Sequence, residues 1–239
     1  GAQNYNMLFK DYMFWDALKN TVIYWITGVI LILALGLLIS GLLNYNRLRG
    51  KAFFKSATYL PNICAVIAMG IIFSMLFEKN TGLINEVIFA MGANKVDWLT
   101  GTRFSKIPVI ALNVWRNTPW FTMILLSGLL NISPEYYEAA KVDGANAFQR
   151  FFKITLPSLS NVMFFCFITL TADSWKIFNE PFMLQGPGTS NVSLFQYMYE
   201  SGFNVFKLGY ASSIGCMLTL ILLIVSVIQF IIRMKQGEV

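Results

Sequence analysis

A few ionisable residues stand inside the apolar stretches of this chain at spacings that could do chemistry. Asp173, Lys176 and Glu180 follow one another at intervals of three and four residues, which puts them on one face of a helix. Arg116 sits between Trp115 and Asn117, with Pro119 and Trp120 one turn further on. Ionisable groups in apolar helices are costly, so they pair, face a wet cavity or carry ions. Arg116 can pair with Asp173 or, through a water, with Glu180; a packing network that only holds helices together is the competing reading.

Other chemistries find little support. The chain has no histidine, which removes H-E-x-x-H zinc sites and any Ser-His or Cys-His nucleophile pair. Cys64, Cys166 and Cys216 lie far apart without C-x-x-C spacing and read as buried small hydrophobes. No metal site is expected. Gly50-Lys51 is followed by Ala52, and Tyr45 occupies the position where a phosphate loop needs its first glycine, so ATP is not expected to bind this chain. An integral membrane enzyme would have only a paired Asp and Glu for acid-base work.

The elements that position these groups follow from hydropathy. Hydrophobic residues make up 56% of the chain and charged ones 13%, against about 25% charged in soluble domains. About five apolar runs are long enough to cross a membrane as helices: Thr21 to Leu43, Tyr59 to Phe77, Ile107 to Leu130, Leu159 to Phe182 and Tyr210 to Ile232. They lack the period-2 alternation of barrel strands. The expected fold is an all-α polytopic membrane helix bundle forming a single domain over residues 1–239. On this reading Arg116 and Asp173 each lie nine residues from the outer surface, at a matching depth of about 14 Å.

Basic residues orient the bundle, because Lys and Arg are retained on the cytoplasmic side. Arg47, Arg49, Lys51 and Lys55 follow the first run, Lys141, Arg150 and Lys153 lie in the central loop, and Arg233 and Lys235 close the last run. All three groups fall on one side of a five-span chain. The net charge of +6 fits this bias, and no nucleic-acid partner is expected.

The central loop, residues 131–158, is a charged island between two apolar runs. Ser133 is placed to cap a helix beginning at Pro134. Alanines at 139, 140, 145 and 147 keep it slim, and Gly144 is the natural break. Phe148, Phe151, Phe152 and Ile154 then recur at near-helical spacing before Pro157. From the residues alone this is a helix-turn-helix at the membrane face, either an interfacial segment resting in the headgroups or a docking element.

The order Glu138-Ala139-Ala140, two residues, Asp143-Gly144-Ala145, eight residues, Ile154-Thr155-Leu156-Pro157 resembles the cytoplasmic coupling loop of the membrane subunits of binding-protein-dependent ABC importers. Asn4-Tyr5, Asp11, Phe14-Trp15, Ala17-Leu18 and Asn20-Thr21 resemble the stretch before the permease core in the carbohydrate branch. Leu48-Arg49-Gly50, Leu60-Pro61, Gly82 to Asn85, Trp115-Arg116, Phe178, Gly186-Pro187 and Gly209 to Ala211 extend the likeness. Such subunits usually begin with one more membrane helix; this chain starts after its place, which implies truncation.

The resemblance implies a type I importer permease, without catalytic residues or bound cofactor, in a bacterial or archaeal cell membrane. It implies two ATPase subunits carrying ATP and Mg, a second and different permease subunit, an extracytoplasmic solute-binding protein and the surrounding lipid as partners. By residue, Glu138 becomes the charged contact to an ATPase subunit, Ala139 and Ala140 the close-packing face, and Asp143 and Gly144 the turn, with Ala145 a further coupling residue. For a sugar substrate, Trp115, Trp120 and Phe178 offer ring faces for its C–H surfaces, with Arg116, Asn117, Asp173, Lys176 and Glu180 as polar partners. Gln185, Asn191, Gln196, Tyr197, Tyr199 and Asn204 in the outer loop would meet the binding protein. A stand-alone ion-coupled carrier built on the four charged residues is the alternative.

Overall fold

The structure, a computed structural model, describes residues 2–45 and 49–235; Arg47 and Leu48, cited above, lie outside the described residues. Every regular element among the described residues is helical. Helix α1 (Ala2–Lys10) leads into α2 (Tyr12–Asn44), whose start is capped by Asp11 accepting from the Met13 amide. Next come α3 (Lys51–Ile63), α4 (Val66–Leu76), α5 (Leu83–Ala90) and α6 (Lys106–Leu130). Helices α7 (Pro134–Val142) and α8 (Ala147–Arg150) form a hairpin that runs through a wider π turn and the short α9 (Leu156–Ser158) into α10 (Ser160–Trp175). Two short helices, α11 (Asn179–Met183) and α12 (Leu194–Tyr199), precede α13 (Leu208–Lys235).

Helix α2 is the central post. It packs along α6 and α10, burying Val29, Ile32, Val114, Phe121, Leu125, Cys166 and Leu170 in one cluster. The approach is close because Gly36 faces α6: a Cβ there would come within 3.3 Å of Leu125 Cδ1. Small residues at such crossings let backbones approach without a water-driven hydrophobic effect. Beyond this cluster the long helices carry wide apolar faces outward, including Leu220, Leu223, Val227 and Phe230 on α13. Faces of this size call for lipid or a partner.

Helices α2 and α13 are each long and apolar enough to cross a membrane, and the number rises to four if each of two bent pairs is one span. Among the described residues the five expected spans thus stand at two to four candidates, because two of the five runs are broken. The run Tyr59 to Phe77 is broken: α3 and α4 meet at 91° across the extended residues Cys64 and Ala65. The run Leu159 to Phe182 also ends early, at Trp175, and α11 resumes at Asn179. Asp173 thus sits near a helix end, Lys176 beyond it and Glu180 on another helix, so they share no helical face and the equal-depth argument fails. Of the cysteines, Cys166 is buried, Cys64 half-buried and Cys216 exposed, so only the first is a core hydrophobe.

Candidate functional site

Two places can do work, one at an end of the bundle and one within it. At the end, the Ser133 Oγ accepts from the Glu135 amide at 3.4 Å, with Pro134 at the first helical position. Gly144 has φ 78°, a left-handed conformation that L side chains resist. Asn146 and Gln149 exchange side-chain and backbone hydrogen bonds, both 2.9 Å, in a capping box that starts α8. Tyr137 and Thr155 join the two arms through their hydroxyls at 2.9 Å.

The hairpin is held firmly but covered poorly. Glu138, Ala139, Asp143 and Gly144 are exposed, and Ala140 and Ala145 half-buried. Val142, which the sequence did not single out, is 89% exposed, and Phe148 of the apolar repeat is 71% exposed. A cleft of about 490 Å³ separates the hairpin from the end of α2, with Asn44, Tyr137, Glu138, Lys141 and Arg150 in its walls. Slim residues, exposed carboxylates and uncovered apolar side chains make a surface that another protein can approach closely.

Within the bundle, Arg116 Nε reaches Glu180 Oε1 at 3.3 Å, and Glu180 is only 4% exposed. The direct pair is with Glu180; Asp173 instead pairs with Lys176 at 3.5 Å near the surface. An Arg116–Asp173 pair is not formed. Both ion pairs line one polar cavity of about 360 Å³ together with Asn117 and Phe178. Asn113, Ser174 and Asn179, missed in the sequence, complete its polar wall. Asn113 stands one turn before Asn117 and accepts from it at 2.6 Å, a spacing that was readable; the buried Ser174 hydroxyl has no hydrogen-bond partner among the described residues.

The two tryptophans lie elsewhere. Trp115 rests on Phe73, ring centres 5.6 Å apart, and Trp120 is 48% exposed; neither lines the cavity. Phe178 packs against Phe182 and Tyr199, each with centroids 5.0 Å away. The elbow between α3 and α4 adjoins this region: Asn62 Nδ2 donates to the Arg116 carbonyl at 3.2 Å. Gly70 of α4 lies so close to α11 that a Cβ would meet Met183 Cβ at 2.6 Å.

Of the loop positions foreseen at the opposite end, Gln185, Tyr199 and Asn204 are exposed and Tyr197 is half-buried, but two are not open to a partner. Asn191 and Gln196 are fully buried. Asn191 donates to the Leu184 and Ser105 carbonyls at 2.6 and 3.2 Å and accepts from the Gly186 amide at 2.9 Å. Asn20 and Tyr24 of α2 bind the carbonyls of Thr189, Val192 and Asn191. Asn85 ties down the neighbouring segment, donating to the Glu78, Lys79 and Val96 carbonyls and accepting from Trp98 Nε1 at 3.0 Å. Next to them Asp11 accepts from the Tyr197 and Tyr210 hydroxyls. Partial burial pushes the Asp11 carboxyl up, but these hydrogen bonds and those from the Met13 and Phe14 amides outweigh it and hold the group below its usual value.

Comparison with known proteins gives a consistent picture. Residues 32–236 match the family model described as "Binding-protein-dependent transport system inner membrane component". The chain is 31% identical to the lactose transport system permease protein of Rhizobium radiobacter, across 96% of this chain and 79% of that protein. It is 32% identical to the arabinooligosaccharides transport system permease protein of Bacillus subtilis, across 96% and 74%. The trehalose/maltose permease protein of Thermococcus litoralis is 32% identical, across 100% and 79%. Among solved structures, a chain of a bacterial importer of the acidic polysaccharide alginate superposes with a TM-score of 0.85 at 21% identity, covering 98% of this chain and 84% of that one. At that identity the likeness shows the shared fold.

Proposed function

Since the chain belongs to the family of binding-protein-dependent transport system inner membrane components, we propose that it forms half of the translocation pathway of an ATP-driven carbohydrate importer. It is a membrane permease subunit, a transport component rather than a catalyst. The carbohydrate reading is supported by relatives named for lactose, arabinooligosaccharides and trehalose/maltose. A solute-binding protein on the outer side is supported by the related alginate importer, whose structure includes a pentasaccharide-bound periplasmic protein. A second permease subunit and two ATPase subunits, which hold ATP and Mg, complete the proposed assembly.

The observation that carries the mechanism is the preformed, uncovered hairpin at one end of the bundle. The hairpin and the C-terminal end of α13 lie in the cytoplasm, and Glu138 to Ala145 seat in a cleft of an ATPase subunit. Closure of the ATPase pair displaces the hairpin and favours one bundle state by differential binding. The cavity around Arg116 and Glu180 lines the solute path. Its ion pairs are shared between α6, α11 and the end of α10, so a relative shift of these elements opens or closes it.

Co-purification from membranes in detergent tests this. An ATPase subunit is expected to accompany the intact chain and to be lost on Glu138→Lys or Gly144→Pro while the bundle stays folded. If none accompanies the intact chain under any nucleotide condition, the ATP-driven reading falls and ion-coupled transport through the charged cavity takes its place.

A further inference from the structure

Four ionisable side chains stand in the wall of the polar cavity within the bundle, two basic and two acidic, and their charges cancel in pairs. Arg116 Nε lies 3.3 Å from Glu180 Oε1, and Lys176 Nζ lies 3.5 Å from Asp173 Oδ1. The rest of the polar wall is neutral. Asn117 donates to the Asn113 carbonyl and to its Oδ1 at 3.0 and 2.6 Å, and the buried Ser174 hydroxyl has no partner among the described residues. Phe178 adds a ring. At about 360 Å³ the cavity falls within the range of about 300–1,000 Å³ usual for sites that take small ligands.

We propose that this cavity admits uncharged saccharides and turns acidic ones away, with Asp173 as the residue that sets the choice; the proposal rests on the solute path proposed above. An acidic sugar sheds hydration as it enters and needs a cation that is not already compensated. It could take Arg116 only by displacing the buried Glu180, which would strand a second carboxylate. The attraction of Lys176 is cancelled by Asp173, three residues before it. An uncharged sugar brings hydroxyls that both donate and accept, so it can meet amides and the Ser174 hydroxyl without that cost. The shared fold does not decide the matter, since the superposed importer takes the acidic polysaccharide alginate. Side chains must. Of the two acids, Asp173 is the one that can be changed alone: its side chain is 60% exposed, so neutralising it alters the field in the cavity without emptying a buried site.

Saturation-transfer difference NMR tests this on the chain purified from membranes with the subunits that accompany it, any solute-binding protein being washed away so that its own selectivity does not enter. Digalacturonate is the acidic probe; its uncharged dimethyl ester, lactose and maltose are the neutral ones. The wild type is expected to bind its best neutral probe at least about fivefold more tightly than digalacturonate, the factor that one unit charge at about 4 Å is worth in water. Asp173→Asn, which leaves Lys176 uncompensated, should raise the affinity for digalacturonate relative to that neutral probe by about the same factor, and Asp173→Lys by more. Digalacturonate bound as tightly as the neutral probes by the wild type, or a ratio unmoved in both variants, would overturn the charge rule and leave the solute path standing. No probe bound by the wild type would overturn both. Association with an ATPase subunit is a separate measurement, so neither result can be mistaken for failure of the ATP-driven reading.

Discussion

The two ends of the bundle handle their polar groups in opposite ways. At the end that holds Asn20, Asn85 and Asn191, side-chain amides are buried and bound to backbone carbonyls of loops, distant in sequence for Asn20 and for Asn191 on Ser105, and nearby for Asn85. At the other end the hairpin satisfies its own backbone through Ser133, Gly144 and Asn146, yet leaves Glu138, Val142 and Phe148 uncovered. Buried amides that bind carbonyls make loops part of the scaffold, since each orphaned group costs about 1–3 kcal/mol. Uncovered side chains on a self-sufficient hairpin add little to folding and remain available to a partner. One end stores stability, and the other offers contact.

Substitutions can break that contrast, beginning with the largest expected effect. Arg116→Ala leaves the buried Glu180 carboxylate without its partner and should destabilise the bundle by about 3–5 kcal/mol. The change is read as a lower melting temperature in detergent; in the Arg116→Ala, Glu180→Ala double variant much of it should return, and a double variant no more stable than the single one would deny the pair its importance. Asn191→Leu strands two carbonyls and an amide and should cost about 3 kcal/mol, read by the same melt. A melting temperature equal to that of wild type would mean that the loop is not held as described.

At the hairpin end, Gly144→Ala forces a methyl group into the left-handed region and should cost about 1–2 kcal/mol. Limited proteolysis of the hairpin should report it as faster cutting between α7 and α8. The Asp11 carboxyl, held below its usual value, contributes stability that is present above the unfolded carboxylate pKa of about 3.9 and lost as pH falls through the lower folded value. Asp11→Asn should therefore flatten the acid side of a melting-temperature profile, and an unchanged acid slope would remove Asp11 as its source. Smallest of all, Glu138→Lys should change stability by no more than about 0.5 kcal/mol while abolishing ATPase association. A large loss of stability there would erase the contrast between the ends.

Much of the bundle was legible because hydropathy needs only length. The runs Ile107 to Leu130 and Tyr210 to Ile232 lie within α6 and α13, and Thr21 to Leu43 lies within the longer α2. The breaks were not legible. Ile177, Phe178 and Phe182 keep the apolar count running past Trp175, and Cys64 and Ala65 carry no turn chemistry that would announce a 91° elbow. Tertiary contacts set both, including the approach of Gly70 to Met183. In the site, Ser133, Gly144 and the Phe148 helix follow local rules and read directly. The pairing of Arg116 with Glu180 and the burial of Asn191 depend on partners more than 60 residues away in one case and, for the loop carbonyls bound by α2, more than 160 in the other. No local pattern encodes such distances.

The capping box and the Tyr137–Thr155 bridge give the hairpin a mechanical character. A floppy loop would absorb the displacement of whatever grips it, stretching before the bundle moved, and would give up conformational entropy on every engagement. This one is already folded in the shape that it presents, so it has less conformational freedom to lose before the foot of α10 moves. On the coupling proposed above, stiffness of that kind would tie the stroke length of the motor to that of the gate.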